Sequence, residues 1–210
     1  DYERYLVAET ATTVQINVIG VADAPTLTVT DLSPVCDEDN YFVVDWSGAA
    51  VVDNDGSEVL GLELRIQDNW WVQMVTFGSE EITPSPVTGG SSYTLPAVHD
   101  GALNVYATEH TSGVFGLELI ATSTESAVKA LDANPGMLSG SAAATSVTVE
   151  ATVLPFGDEP WFEVDKTNVV TLEDQVASVV VSTIMLEDVD NSEELTLELR
   201  SADKNLYKVF

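Results

Sequence analysis

Apolar and polar residues alternate with a period of two along much of the chain. Thr26-Leu27-Thr28-Val29-Thr30 is a short example. The runs 41–46, 59–66, 70–77, 91–95, 102–108, 114–122 and 146–154 repeat the pattern with β-branched and aromatic side chains. Neighbouring side chains of a strand point to opposite faces, so this alternation predicts strands that each bury one face. Turn formers separate the runs: Asp53-Asn54-Asp55-Gly56, Thr88-Gly89-Gly90-Ser91, His99-Asp100-Gly101 and Ser112-Gly113. About eight strands with no sustained helical period predict an all-β chain folded as an antiparallel β-sandwich. The segment 126–144 breaks the pattern. Ala127-Val128-Lys129-Ala130-Leu131 predicts a short helical turn ended by Asn134-Pro135-Gly136, and Ser139 to Ala144 predicts a flexible loop.

The chain also repeats itself at a fixed offset of 135 residues, the interval from Asp23 to Asp158. Asp23-Ala24-Pro25 returns as Asp158-Glu159-Pro160, and Glu38-Asp39 returns as Glu173-Asp174. Asp53 to Glu58 falls on Asp188 to Glu193, and Leu62-Glu63-Leu64-Arg65 on Leu197-Glu198-Leu199-Arg200, with no gap. A long period shared by acidic loops and apolar strands predicts tandem domains. Residues 1–23 then read as the C-terminal strand of a preceding repeat, because Val14 to Val18 falls on Val149 to Val153. Residues 24–158 are a complete β-sandwich repeat, and 159–210 the N-terminal part of a following one. An isolated segment of about 50 residues lies near the lower limit for folding alone. The end segments are therefore expected to dock on the central domain or on neighbouring chains.

Charge narrows the partners. Acidic residues number 35 against 7 basic ones, and the formal net charge is −28 at pH 7. Nucleic acid and anionic membranes both require a positive surface, so neither is an expected partner. A cation or a cationic partner suits the chain better. Cys36 is the single cysteine and falls on Thr171 in the second copy, which predicts a structural thiol and excludes an intrachain disulfide. No run approaches the ~18 apolar residues of a membrane span, so no membrane insertion is expected. The first residues lack a basic-then-apolar leader pattern, which would place any secretion signal outside this segment.

The run Gly20 to Val29, then Glu38-Asp39, then Val52 to Leu60, resembles the cadherin-like, immunoglobulin-like repeats of very large bacterial surface adhesins, the RTX adhesins. Ser112 to Glu125 is similar to the penultimate strand of that module. The glycine-rich nonapeptide calcium repeats that name those proteins do not occur here. The resemblance implies an extracellular rod at the cell surface, built for cell adhesion or biofilm, in which calcium at the junctions holds successive domains in line. Asp53 and Asp55 follow Asp23 at about the interval by which a cadherin linker acid precedes its Asp-x-Asp loop.

Calcium takes six to eight oxygen ligands, so clustered carboxylates and backbone carbonyls are the set it needs. Asp-x-Asp puts two carboxylates on one side of a turn, and Gly56 or Asn191 suits the left-handed backbone that turns a carbonyl inward. Asp53-Asn54-Asp55-Gly56 is no EF-hand, which wants glycine at the sixth position and glutamate at the twelfth where this chain has Glu58 and Leu64. By the resemblance, one junction combines Glu38, Asp39, Asp158, Asp188 and Asp190. The preceding junction uses Asp23, Asp53 and Asp55, and the last repeat offers Glu173 and Asp174. Glu58 and Glu193 are weaker candidates, since an acid just before a strand commonly faces solvent.

Other residues point to other functions with less force. Alternation would place one ring of Trp70-Trp71 inside and expose the other, and an exposed ring can stack on a surface glycan or a protein. His99 and His110, beside Asp100 and Glu109, offer nitrogen to a transition metal, although histidines at turns are commonly just solvated. No Gly-x-Ser-x-Gly elbow occurs and no serine stands in a recognisable order with histidine and acid, so no enzyme is expected. The expected function is a calcium-stiffened spacer whose partners are neighbouring repeats or other copies of itself. A lectin or protein-receptor module is one alternative. A self-assembling fibre or sheath subunit is another, in which the strand 14–18 completes the incomplete last domain of a neighbour.

Overall fold

A computed structural model describes residues 11–14, 20–53, 56–97, 102–125, 141–187, 191–198 and 200. In chain order the strands are β1 (Thr26–Val29), β2 (Val35–Asp37), β3 (Tyr41–Val44), β4 (Trp46–Ala50), β5 (Glu58–Gln67), β6 (Val72–Phe77), β7 (Glu80–Glu81), β8 (Ser85–Val87), β9 (Gly90–Leu95), β10 (Leu103–Ala107), β11 (Gly113–Glu125), β12 (Ala142–Leu154), β13 (Trp161–Val164) and β14 (Val181–Met185). Among the described residues the protein is all-β, and its only helical element is a three-residue 3-10 turn at Asn69–Trp71.

Two sheets share one core. The smaller has the order β3-β10-β6-β7 and the larger β2-β12-β11-β5-β9-β8. Alternation decides which side chains meet between them: Leu62, Leu64 and Ile66 from β5, Leu117 and Leu119 from β11, and Val149 and Val153 from β12 are all buried. They pack in one cluster with Phe42, Val44, Val75, Leu103 and Val105 of the smaller sheet. Each such side chain, fully buried, contributes about 1.5–3 kcal/mol of transfer free energy. The arrangement is that of a β-sandwich.

Between β1 and β2 the chain passes from one side of the sandwich to the other. Asp31 accepts the Ser33 N–H at 2.9 Å, an Asx turn that bends the chain just before Pro34. Beyond the bend β2 runs parallel to the end of β12, with Val35 opposite Thr152 and Asp37 opposite Leu154. Thr152 N–H donates to Pro34 O at 2.9 Å, and Glu38 N–H to Leu154 O at 2.9 Å. Cys36 lies in this short strand, half-buried; burial and then the neighbouring Asp37 charge push its thiol pKa above the ordinary value. Gly90 opens β9 where a Cβ would stand 2.0 Å from Ile66 O, so no side chain fits there.

Three local expectations change. Trp70 and Trp71 sit in the 3-10 turn and not in strand β6. The outcome is still one ring in and one out: Trp71 is 2% exposed and Trp70 60%. Residues 142–144 belong to β12, pairing with Thr122 to Thr124, because the long partner strand β11 supplies a ladder that overrides the low strand preference of alanine. The short strands β2, β7 and β8 have no alternation long enough to stand out. The expected helical turn at 127–131 and the strand segment 15–18 lie outside the described residues.

The 135-residue offset has a geometric counterpart. β1 pairs with β4 through Thr26 and Ala50, and β13 pairs with β14 through Trp161 and Met185, the same positions one offset later. Both ladders carry an irregularity at equivalent places, between Thr28 and Val29 and between Glu163 and Val164. Thr30 N–H donates to Asp45 O at 2.8 Å and Asp165 N–H to Val180 O at 2.9 Å. Positive φ recurs too, at Asp39 and Asp174 and at Gly56 and Asn191.

Candidate functional site

The acids gather at opposite ends of the long strands. β12 has 13 residues, which at about 3.3 Å per residue separates its two ends by roughly 40 Å.

At the end where β5 begins, Glu58 is half-buried and works as a clasp. Its Oε1 accepts the Asp23 N–H at 2.6 Å, and its Oε2 accepts the hydroxyl of fully buried Ser123 at 2.8 Å. Its own N–H donates to Asp53 Oδ2 at 3.1 Å. Nearby, Ser141 Oγ accepts the Ala22 N–H at 2.6 Å and Thr145 donates to Pro25 O at 2.6 Å. Glu58 thus brings Asp23 and Asp53 together.

At the other end, the turn after β2 carries Glu38 and Asp39. Glu38 is 6% exposed and its Oε1 accepts the Phe156 N–H, which fastens the segment that leaves β12. Asp39 adopts φ 58°, a left-handed conformation that aspartate tolerates better than most residues. That conformation lets its Oδ1 accept the N–H of His110 at 2.9 Å. His110 sits in the β10–β11 turn, also at positive φ, 56°, beside fully buried Thr111. Its Nδ1 is hydrogen-bonded to Asp158 Oδ2 and lies 3.9 Å from Asp39 Oδ2, while its Nε2 lies 3.5 Å from Glu187 Oε2. Burial opposes the charged imidazole, but the Asp158 hydrogen bond and the charges of Asp158, Asp39 and Glu187 outweigh it and raise the pKa above the ordinary value.

Asp158 is also held from the far side. Its N–H donates to Glu193 Oε1 at 2.7 Å, which is the Asp23–Glu58 hydrogen bond moved by 135 residues. Glu58 and Glu193, weak candidates by sequence, therefore grip the backbone of Asp23 and Asp158. An acid before a strand looks solvated in sequence because nothing marks the N–H that will reach it.

Of the expected ligands, Asp23 and Asp53 are both tied to Glu58 at one end, the first through its backbone N–H, and Glu38, Asp39 and Asp158 lie at the other, where Asp39 and Asp158 bring their carboxylates together around His110. Glu173 and Asp174 are exposed, and among the described residues they join no cluster of metal-ligating side chains. Asp55, Asp188 and Asp190 lie outside the described residues. His110 is not among the residues the acid pattern singles out, and its equivalent one offset later would fall beyond residue 210. Its partners prove to be Asp39 and Asp158; His99 lies outside the described residues.

No family model, curated protein or solved structure matches this chain.

Proposed function

We propose that this chain is a non-enzymatic spacer of tandem cadherin-like, immunoglobulin-like domains in an extracellular surface protein, stiffened by calcium at the domain junctions. The observation that carries the reading is the recurring clasp: Asp23 N–H to Glu58, and Asp158 N–H to Glu193. A device repeated at the period of the whole domain belongs to the joining of domains and not to a single reaction centre. Strand order supports the immunoglobulin-like type. β1 with β4, β3 with β10 and β10 with β6 follow the A-B-E-D sheet, and β12-β11-β5 the G-F-C sheet. The β8–β9 hairpin extends the second sheet beyond β5.

The donor chemistry fits calcium. Asp23, Asp53 and Glu58 are carboxylates at one end, and Glu38, Asp39, Asp158 and Glu193 at the other; among the described residues Asp39 and Asp158 are the acids whose ligand atoms already gather, and in this reading the ion draws in the rest together with Asp55, Asp188 and Asp190. Bound calcium would neutralise the mutual repulsion of these acids. The chain's own part is backbone placement: Glu38 fixes the departing segment and Glu193 fixes the main chain of Asp158, which holds the acids at one end of the sandwich. An ion that prefers the docked arrangement stabilises it by linkage.

The expected result is that millimolar calcium protects the segment 155–160 from proteolysis and raises the melting temperature, and that EDTA reverses both. Identical cleavage and melting with calcium and with EDTA would exclude the calcium part of the reading. Trp70 is the ring exposed for a lectin or receptor role, since Trp71 is in the core.

A further inference from the structure

The end of the sandwich that carries the turn after β2 and the β10–β11 turn contains a nitrogen donor, which an oxygen-binding ion such as calcium does not use. Asp39, His110 and Asp158 each place one ligand atom so that all three lie within 4.8 Å of one another. Calcium takes oxygen, whereas an imidazole nitrogen with carboxylates suits zinc and its first-row neighbours. Ring orientation adds a second, independent observation. His110 turns Nδ1 toward both aspartates and Nε2 toward Glu187, 3.5 Å away on the outer side of the ring. A metal-bound histidine commonly directs its other ring N–H to a carboxylate, which fixes tautomer and orientation. Both Asp39 and His110 stand on left-handed turns, and His110 N–H is bonded to the Asp39 side chain, so the two donors are positioned against each other by backbone. Asp39 and His110 also line a cleft of about 230 Å³ with Asn40, Gln73, Tyr106 and Glu109, where a water or a fourth donor has room.

We propose that Asp39, His110 and Asp158 form a site for a borderline divalent metal such as zinc, with His110 Nδ1 as the nitrogen ligand and Nε2 left facing the exposed Glu187 carboxylate. Binding exchanges the Nδ1 proton for the metal and releases that proton to solvent. Zinc and calcium then compete for Asp39 and Asp158, so the junction responds to two classes of cation. The site does not depend on calcium binding anywhere in the chain.

The test is titration of the full 210-residue chain with Co²⁺, read by its visible absorption, followed by displacement with Zn²⁺. His110→Ala is expected to weaken Co²⁺ and Zn²⁺ binding by about tenfold or more, since even an outer partner of a ligand is worth about 10–100-fold. His99→Ala is expected to leave binding unchanged. In the unsubstituted chain, Zn²⁺ should shift the His110 imidazole nitrogen resonances, a readout that does not depend on the variant folding. Equal affinities for the unsubstituted chain and His110→Ala would overturn the site, as would loss of binding in His99→Ala or unmoved His110 resonances. Zinc binding lost while calcium protection of residues 155–160 persists overturns this proposal alone; the converse removes only the calcium reading.

Discussion

Replacing Trp71 by alanine is expected to lower the stability of the central domain by about 3–5 kcal/mol. The indole is 2% exposed and stacks on Phe115 at a centroid distance of 4.3 Å, and its centroid is 6.3 Å from that of Phe42. Phe42 comes from the smaller sheet and Phe115 from the larger, so the ring bridges the two halves of the core. Truncation removes its transfer free energy and leaves a cavity whose walls are held by two sheets. The backbone would add to the damage if the turn shifted, because Trp71 O accepts the Thr108 N–H at 2.7 Å, just before the His110 turn. Urea unfolding gives the measurement. Trp70→Ala is the internal comparison, expected to cost no more than about 1.5 kcal/mol, because the ring is exposed and keeps only an edge-on contact with Phe115 at 6.3 Å. Equal losses in the two variants would disprove the assignment of Trp71 as the central ring.

Glu58→Ala is expected to follow, with a loss of about 3 kcal/mol. The carboxylate accepts two hydrogen bonds, from Asp23 N–H and Ser123 Oγ, and bonds to a charged acceptor are worth about 1.5–3 kcal/mol each. Ser123 has no exposed surface, so its hydroxyl would lose its carboxylate partner without gaining water. Removing the Glu58 charge close to Asp53, whose Oδ2 accepts the Glu58 N–H, offsets part of this loss. Glu58→Gln separates the terms, since its amide oxygen can still accept one of the two donors while its NH₂ faces the other; an intermediate loss is expected. Chemical unfolding of the three proteins decides it. Stability unchanged in Glu58→Ala would mean that the clasp contributes nothing beyond solvated hydrogen bonding.

Much of the architecture was legible because burial and period two are the same fact. Leu62, Leu64 and Ile66 alternate with Glu63 and Arg65, and a slip of one residue in the pairing would turn all three apolar residues out of the core. Short elements were not legible. β2 is three residues long and is defined by the parallel partner it finds in β12, which lies more than a hundred positions away. The ends of the sandwich divide in the same way. Glu38, Asp39 and Asp158 stand out by their recurrence, and the fold does bring them to one end. His110 shows no recurrence within this chain, and its place between two aspartates depends on backbone conformation at both turns. Glu58 ranks only as a weaker candidate in sequence because its contacts depend on Ser123, 65 residues distant, and on where the backbone of Asp23 passes.

The parallel contact between β2 and β12 has a mechanical consequence. The chain arrives at Asp23 beside the start of β12 and departs after Leu154 at its far end, so tension applied at these two points runs along the strands. The first strand segment is drawn one way and the last the other. The hydrogen bonds at Thr152 and Glu38 lie across that pull and must slide and rupture together, unlike a hairpin that opens bond by bond. Single-molecule stretching between Asp23 and the segment after Leu154 should therefore show an abrupt force peak for the sandwich. Ala substitutions cannot remove these main-chain bonds, but a proline at Glu38, which lacks the N–H, should lower the peak; an unchanged peak would place the resistance elsewhere.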